Sequence, residues 1–380
     1  MKYLDEFRDQ NQAHNIAAAI ANETRPDRDY RIMEFCGGHT HAIFRYGVQD
    51  LMPNNVQFVH GPGCPVCVLP IARLEAVMQM LRQYHIILCT YGDMMRVPGV
   101  NRRSLLQARA EGADIRMVYS TTDALQIARD HSTQAVVFFA IGFETTTPAT
   151  AVAIKQAQAE GLKNFSVMSN HVLTPAALGA ILNAEQPVAI DGLLGPSHVS
   201  SIIGSQPYEH FAQHYQKPIV VAGFEPLDVM QSTLMCIRLL NQGRNIVENE
   251  YTRVVTHAGN RKAQALIQDV FEIRDTFEWR GLGQLKNSAL QIRQTFAEFD
   301  AERRFPVEPD VLKENKACEC PAILRGQKRP TDCKLFGNGC TPASPIGSCM
   351  VSSEGACAAY WSYAGFRVPA NNKQYENLSG

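Results

Sequence analysis

The apolar residues of this chain come in short, near-continuous runs, and longer amphipathic stretches lie between them. The runs at 86–90 and 135–141 show none of the polar–apolar alternation of a half-exposed strand. The pattern is typical of strands buried on both faces of a parallel sheet, and its alternation with helical stretches predicts βαβ units. We predict strands at 31–35, 56–60, 86–90, 115–119, 135–141, 165–169, 192–194 and 218–222.

Helical periodicity fills most of the gaps between these strands. It predicts helices at 4–22, 69–83, 103–111, 122–130, 147–160, 175–183 and 227–241. The tripeptide Gly-Phe-Glu occurs at 142–144 and again at 223–225, each time between a strand and a helix. The echo indicates either two related α/β lobes or only two similar turns.

The strand–helix rhythm weakens after residue 249, and Cys, Pro and Gly concentrate beyond residue 314. We therefore predict an α/β protein with three parts. Residues 1–120 form a first α/β domain with an N-terminal helix, 121–249 form a second, and 250–380 form a small, loop-rich C-terminal module.

Composition narrows the class of protein. The chain has 380 residues and a net charge of −1, without the basic stripe of a nucleic-acid binder. It has neither a secretory h-region nor an apolar run long enough to span a bilayer. We expect a soluble, cytoplasmic protein that binds neither nucleic acid nor membrane. Its 11 cysteines are then better explained as metal ligands or redox thiols than as structural disulfides.

Two thiol motifs follow the first two predicted strands. Cys36 opens the sequence CGGHTH, where a thiol flanked by glycines and two histidines suits metal coordination or an activated thiolate. The alternative is a buried cysteine at a glycine turn. Cys64 and Cys67 form a Cys-x-x-Cys pair at a helix start, which indicates a redox dithiol, transient iron binding or half of a metal site.

Polar residues follow later strands. Asp93 and Arg96 either line the same crevice or form a local ion pair in a turn. Glu144 is a carboxylate near a strand end, which we expect to face the cleft. For His171 and His198, a structural role is the better interpretation.

The C-terminal module holds six cysteines within 40 residues, separated by 1, 12, 6, 8 and 7 residues. Zinc sites usually contain close pairs of ligands. Wide and uneven gaps favour an iron–sulfur cluster gathered from several loops, and zinc or disulfides are the alternatives. The cysteines are Cys318, Cys320, Cys333, Cys340, Cys349 and Cys357.

Seven motifs spread from residue 36 to residue 359 are long enough to identify a family. They are CGGHTH, HGPGCPVC, YGDMMRVPG, GFETT, AGFEPLD, EWRGLG and MVSSEGACAA. Together they closely resemble the HypD family of hydrogenase maturation factors. The resemblance implies two Rossmann-like α/β domains and a C-terminal [4Fe-4S] module. It also implies that the protein acts with the small chaperone HypC as the scaffold on which the Fe(CN)2CO unit of [NiFe] hydrogenases is assembled, with HypE as cyanide donor.

The same resemblance implies roles for individual residues. Cys36 holds the nascent iron together with a cysteine from HypC. As a separate hypothesis, which the resemblance does not supply, we expect His39 to orient this site without binding the iron. Cys64 and Cys67 form the redox-active pair and contact the iron transiently. The cluster ligands are Cys320, Cys333, Cys340 and Cys357, which leaves Cys318 and Cys349 as extras.

The expected activity is assembly with redox chemistry, without conventional substrate turnover. Two other functions stay open at this point: a thioredoxin-like thiol–disulfide oxidoreductase, and a zinc-stabilised interaction module.

Overall fold

A computed structural model describes residues 5–185, 188–308 and 317–363. Its strands are β1 Tyr30–Glu34, β2 Val56–His60, β3 Ile86–Thr90, β4 Ile115–Met117, β5 Ala135–Gly142, β6 Phe165–His171, β7 Gly192–Pro196, β8 Ile219–Ala222, β9 Val247–Asn249, β10 Phe271–Trp279 and β11 Gly283–Ile292. Its α-helices are α1 Gln10–Glu23, α2 Gly37–Tyr46, α3 Pro65–Val68, α4 Ile71–Gln83, α5 Gly92–Arg96, α6 Leu105–Ala110, α7 Thr121–Asp130, α8 Thr147–Ala159, α9 Thr174–Leu182, α10 Ser197–Ile203, α11 Glu209–His214, α12 Pro226–Gln242, α13 Arg261–Val270, α14 Ala301–Arg304, α15 Cys320–Leu324 and α16 Ala356–Tyr363.

The predicted α/β class is confirmed, and each of the eight predicted strands is present. Their ends differ from the prediction by at most two residues. Strand β5 shows why the apolar runs were informative. Phe138 and Phe139 point to opposite faces of its sheet, yet both are fully buried because helices cover the two faces.

The strands form two parallel sheets with related topology. Lobe A has the order β2-β1-β7-β8-β9, and lobe B has the order β4-β3-β5-β6. When the strands of each lobe are numbered in chain order, both sheets begin with the order 2-1-3-4. This is a doubly wound, Rossmann-like order, and it opens a crevice where the direction of winding reverses. The crevice lies beyond β1 and β7 in lobe A and beyond β3 and β5 in lobe B.

The Gly-Phe-Glu echo does not mark equivalent turns of the two lobes. The first copy follows β5, which is the third strand of lobe B in chain order. The second copy follows β8, which is the fourth strand of lobe A. The lobes are related by strand order, whereas the repeated tripeptide is not part of that relation.

The lobes also do not follow the boundary predicted at residue 120. The chain builds β1 and β2 in lobe A, crosses to build all of lobe B, and returns for β7 to β9. A boundary at residue 120 therefore cuts lobe B between β4 and β5. The antiparallel hairpin β10–β11 packs on lobe B, where the Leu173 N–H donates to the Ser288 carbonyl oxygen at 2.8 Å.

The C-terminal segment 317–363 is loop-rich, as predicted, with only the short helices α15 and α16. Among the residues that the structure describes, no helix has the length and apolar character needed to cross a bilayer.

A half-buried ion-pair network joins three elements around lobe B. The Glu302 carboxylate of α14 accepts from Arg73 of α4 at 2.6 Å and from Arg274 of β10 at 2.6 Å. Burial raises the pKa of Glu302, but the charges and hydrogen bonds of the two arginines outweigh burial and hold that pKa at about 2. Since the folded pKa lies below the ordinary value of 4.5, the ionised carboxylate stabilises the fold above pH 4.5.

We expect Glu302→Gln to lower the free energy of unfolding by about 2 kcal/mol at pH 7. The difference in unfolding free energy between Glu302→Gln and the unsubstituted protein should shrink as the pH falls from 5 toward 3. Glu302 becomes protonated in the unfolded chain over this range. Urea denaturation across this range measures both effects. Glu298→Gln is the matched control, since its partner Lys163 is exposed and that ion pair contributes little. An equal loss of unfolding free energy in Glu302→Gln and Glu298→Gln would show that the Glu302 ion pairs do not stabilise the fold more than an exposed pair does.

Candidate functional site

Cys36 lies at the crevice of lobe A. It follows β1 directly and is the N-terminal cap residue of α2, in extended backbone conformation. The neighbouring strand in the sheet is β7, so Cys36 stands where the winding of the sheet reverses. Ligands of doubly wound sheets bind at this position. The sequence placed Cys36 at a strand end, but the choice of β7 as the neighbour comes from the tertiary structure.

A fully buried carboxylate holds the turn that carries Cys36. Glu34 accepts hydrogen bonds from the Cys36 backbone N–H at 3.1 Å and from the Thr40 hydroxyl. His60 Nδ1, at the end of β2, donates to the same carboxylate at 2.7 Å. Burial raises the pKa of Glu34, and the hydrogen bond and charge of His60 oppose that rise. The network ties the ends of β1 and β2 to the first turn of α2.

The glycines of CGGHTH pack against protein. A Cβ atom at Gly37 would lie 2.4 Å from Glu354 Cβ, and one at Gly38 would lie 2.6 Å from the ring of Phe224. The Gly37 N–H also donates to the Gly63 carbonyl oxygen at 3.0 Å. The glycines therefore permit close approach of lobe A, the Cys-x-x-Cys loop and the C-terminal module at one turn.

Cys36 lines a cleft of about 320 Å³ that all three parts of the protein share. Lobe B contributes the turn after β5, and the C-terminal module contributes Glu354. Most of the wall is apolar. Burial raises the pKa of the Cys36 thiol, and the charge of Glu354 raises it further. The lining residues are Phe35, Cys36, Gly63, Pro65, Gly142, Phe143, Thr145, Thr146, Pro196, His198, Val199 and Glu354.

Of the two histidines His39 and His198, only His198 lines the cleft. His39 is fully buried and is not among the residues that line the cleft; its Nε2 donates to the Ala222 carbonyl oxygen of β8 at 2.9 Å. Burial lowers the pKa of His39 to about 4, so its imidazole is neutral. The His198 ring lies against the ring of Phe224, with centroids 3.9 Å apart and planes tilted by 38°. The sequence could have indicated that His198 lines the cleft, because His198 follows β7 and β7 flanks the crevice.

Three further polar residues can now be placed. Asp93 lines an outer chamber of the cleft, whereas Arg96 donates to the Pro342 carbonyl oxygen and joins its loop to the C-terminal module. The expectation that Glu144 faces the cleft is wrong. Its carboxylate accepts from the Thr174 N–H and hydroxyl and caps the start of α9. Burial raises the pKa of Glu144 to about 7.

Cys64 and Cys67 form a disulfide, and both residues are buried. Ser348 connects this pair to the C-terminal cysteines. Its hydroxyl donates to the Cys67 carbonyl oxygen at 3.2 Å, and the same hydroxyl oxygen lies 3.9 Å from Cys320 Sγ. Cys67 Sγ in turn lies 3.9 Å from the Ser348 carbonyl oxygen. One residue thus contacts both groups of cysteines.

All six C-terminal cysteines line a single apolar cavity, together with residues such as Leu335 and Phe336. Cys320 and Cys349 are joined in a second disulfide. While this disulfide is present, Cys320 cannot serve as the cluster ligand that the sequence predicts, because a sulfur in a disulfide is not a thiolate. The cysteines that remain free are Cys318, Cys333, Cys340 and Cys357.

The four free thiols suit a polynuclear cluster. Burial raises the pKa of Cys357, and the charges of the other three cysteines raise it further. Four thiolates in such a cavity need a bound cation to be stable. The Ile346 N–H donates to Cys340 Sγ at 3.3 Å, a contact that stabilises a thiolate ligand.

A mononuclear site fits this arrangement less well. Within residues 5–185, 188–308 and 317–363, no three His, Cys, Asp or Glu side chains converge closely enough to hold one metal ion. Four sulfurs around one zinc, each about 2.3 Å from it, would have to converge in this way. The cysteines surround a cavity, and a [4Fe-4S] cluster could be held there by thiolates from several loops.

The contact between the two N-terminal thiol motifs can be tested at Gly63. A Cβ atom there would lie 2.5 Å from Cys36 Cα, so the Cys36 turn would have to move. We expect Gly63→Ala to lower the free energy of unfolding by about 1–3 kcal/mol and to speed alkylation of Cys36. Thermal unfolding and peptide mass spectrometry measure the two effects.

Gly179→Ala is the control for this experiment. It lies in α9, where the nearest atom to the added Cβ is 3.4 Å away. Alanine should be neutral or slightly stabilising there. Unchanged stability and unchanged alkylation of Cys36 in Gly63→Ala would show that the two motifs are not packed together.

A family model described as "HypD: Hydrogenase formation hypA family" matches residues 11–364. The chain is 62% identical to the hydrogenase expression/formation protein HupD of Azotobacter chroococcum, over 97% of this chain and 99% of that protein. It is also 62% identical to the hydrogenase maturation factor HypD of Azotobacter vinelandii, over 96% of this chain and 97% of that protein.

The similarity also extends to a more distant relative. The hydrogenase maturation factor HypD of Escherichia coli is 44% identical to this chain, over 96% of the chain and 98% of that protein. The family model and these relatives match nearly the full length of the chain, so they establish its family. The chain belongs to the HypD family.

Proposed function

We propose that this protein matures [NiFe] hydrogenases and serves, with a HypC-type small chaperone, as the scaffold on which the Fe(CN)2CO unit is assembled. A HypE-type protein would deliver cyanide to the complex, and the work would take place in the cytoplasm. The names of the relatives support the role in hydrogenase maturation. The cleft around Cys36 supports the role as scaffold.

The observation that carries the proposal is one thiol in a cleft formed by both lobes and the C-terminal module. Cys36 is 6% exposed, and Phe35, Phe143 and Val199 are among the apolar residues around it. An iron ion held there as cargo would meet a soft thiolate ligand and a wall with few water-binding groups. Small diatomic ligands such as cyanide and carbonyl fit these surroundings.

Cys36 needs a partner ligand from outside the chain to hold iron firmly. A cysteine of the HypC-type chaperone, reaching into the cleft through its outer chamber of about 440 Å³, would complete the site. His39 would act on the site indirectly, because its imidazole connects α2 to the end of β8. Cys64 and Cys67 would contact the cargo iron only when their disulfide is reduced.

The C-terminal cavity supports a resident [4Fe-4S] cluster. We propose Cys333, Cys340 and Cys357 as ligands, with Cys318 in place of Cys320 as the fourth. A bound cluster would supply electrons one at a time. The Cys64–Cys67 disulfide takes up two electrons and two protons on reduction and then leaves two free thiols beside the Cys36 turn. Ser348 contacts both groups of cysteines, so electrons would travel only a short distance between them.

Both alternative functions fit the geometry less well. A general thiol–disulfide oxidoreductase needs a partly exposed reactive cysteine, whereas Cys64 and Cys67 are 3% and 0% exposed. A zinc-stabilised module needs closely converging ligands, and the described residues hold no such group.

The scaffold role is tested by anaerobic co-purification with the HypC-type partner and infrared spectroscopy of the complex. We expect cyanide and carbonyl stretching bands, and we expect Cys36→Ala to abolish them. Cys236→Ala removes a buried free thiol on α12 and is the matched control that should retain them. Bands of full intensity in Cys36→Ala would contradict the proposal.

The relay is tested with the same complex. Cys64→Ala and Cys67→Ala should abolish hydrogenase maturation while the iron bound in the C-terminal module is retained. Full maturation in either variant would exclude a relay through this pair.

The fourth cluster ligand is tested by iron content. We expect Cys318→Ser to lose bound iron, while Cys320→Ser retains about four iron atoms per chain under anaerobic conditions. Cys349→Ser should behave like Cys320→Ser, because both break only the disulfide. The reverse result, with iron lost from Cys320→Ser and kept in Cys318→Ser, would restore Cys320 as the ligand.

A further inference from the structure

Two histidines lie one helical turn apart on the surface of lobe A, outside the sites described above. His210 and His214 belong to α11, which connects β7 with β8, and both residues are exposed. Neither of them lines the Cys36 cleft or the cavity of the C-terminal cysteines. Because residues four apart in a helix lie on the same side of it, the two imidazoles share one exposed face of α11.

The distance between the two rings suits chelation of one metal ion. Their centroids are 5.4 Å apart and their planes differ by 18°. Zinc binds imidazole nitrogens at about 2.0–2.1 Å, so a small rotation of each ring brings one nitrogen of each onto the same ion. The His-Glu-x-x-His motif of zinc proteases uses the same spacing of two histidines on one helix face. Among the described residues, neither imidazole forms a hydrogen bond or an ion pair, so their nitrogens are available.

Packing holds the helix that carries this pair. Ala212 is fully buried beneath α11, and the ring of Phe211 stacks on that of Tyr215 with centroids 6.2 Å apart. The Asn183 side chain donates to the Tyr215 hydroxyl, and the Tyr215 ring meets His214 edge-on with centroids 4.7 Å apart. Since the helix and the His214 ring are already restrained, little conformational entropy is lost when an ion binds.

We propose that His210 and His214 form a binding site for a divalent transition-metal ion of the class that imidazole prefers, such as Zn²⁺. The chain supplies two nitrogen ligands and water fills the other positions, since the described residues hold no group of three metal-binding side chains. Glu209, the carboxylate next to the pair in sequence, is bonded to His257 at 2.8 Å instead. The inference goes beyond the proposed function and does not rest on it.

A bound ion would also restrain α11 itself. An ion that joins two residues four apart fastens the helical turn between them, because the unfolded chain does not hold the two imidazoles together. Since water completes the coordination, the ion stays in exchange with the solvent. Mg²⁺ should not bind here, because it prefers oxygen ligands and gives up its water reluctantly.

The experiment uses the full chain, isolated anaerobically, with Zn²⁺ or Mg²⁺ added. Diethyl pyrocarbonate acylates accessible imidazoles, and peptide mass spectrometry gives the acylation rate of each histidine. At saturating Zn²⁺ we expect the rates of His210 and His214 to fall together by about tenfold. His14, an exposed histidine on α1, is the internal reference and should keep its rate. Mg²⁺ should protect none of the three.

Single substitutions separate a chelate from binding to one histidine. In His210→Gln, the zinc concentration that half-protects His214 should rise at least about tenfold, because the second ligand no longer acts at high effective concentration. His214→Gln should have the same effect on His210. His14→Gln is the matched control and should leave both midpoints unchanged. All three residues are exposed, so thermal unfolding should match that of the unsubstituted protein.

Three results would overturn the inference. They are protection of only one histidine of the pair, equal protection of His14, and unchanged midpoints in His210→Gln and His214→Gln. Each of them would show adventitious binding to single histidines only. The readout is acylation of the two imidazoles, so failure of hydrogenase maturation would count against the proposed function alone.

Discussion

The hydrogen-bond network of Glu34 is the contact on which the site depends. This carboxylate is fully buried, yet it accepts from the Cys36 backbone, from Thr40 and from His60. A buried acceptor that lost these donors would cost several kcal/mol, so the network holds the turn in one conformation. Because His60 lies at the end of β2, the same network connects two strands, the CGGHTH turn and the beginning of the Cys-x-x-Cys loop.

The two lobes place their equivalent crevices beside each other. Lobe A presents Cys36 and His198, and lobe B presents the turn after β5. Neither lobe forms the cleft alone, and the C-terminal module adds Glu354 to it. The same module holds the six cysteines, and Ser348 connects them to the Cys64–Cys67 pair. The proposed cargo site and the proposed redox cysteines are therefore parts of one packed unit.

Much of the fold was predictable because buried parallel strands leave a local trace. The run at 135–141 is apolar without alternation, and β5 is buried on both faces. Local patterns failed where this trace is weak. Helix α2 begins with two glycines, which are poor helix formers, and it forms because the packing around Cys36 supports it. Strands β10 and β11 are mostly polar and partly exposed, so their residues resemble loop in sequence.

The sequence by itself determined where eight of the nine strands described in the two sheets lie and which thiols are available, and its long motifs determined the family; it did not predict the short strand β9. The strands, the thiols and the motifs are all local properties that a short stretch of chain carries. Only the tertiary structure decided which strands share a sheet, that Glu144 caps a helix, that His198 lines the cleft, and that Cys320 pairs with Cys349. These outcomes depend on contacts between segments far apart in the chain, and such contacts leave no pattern in either segment alone.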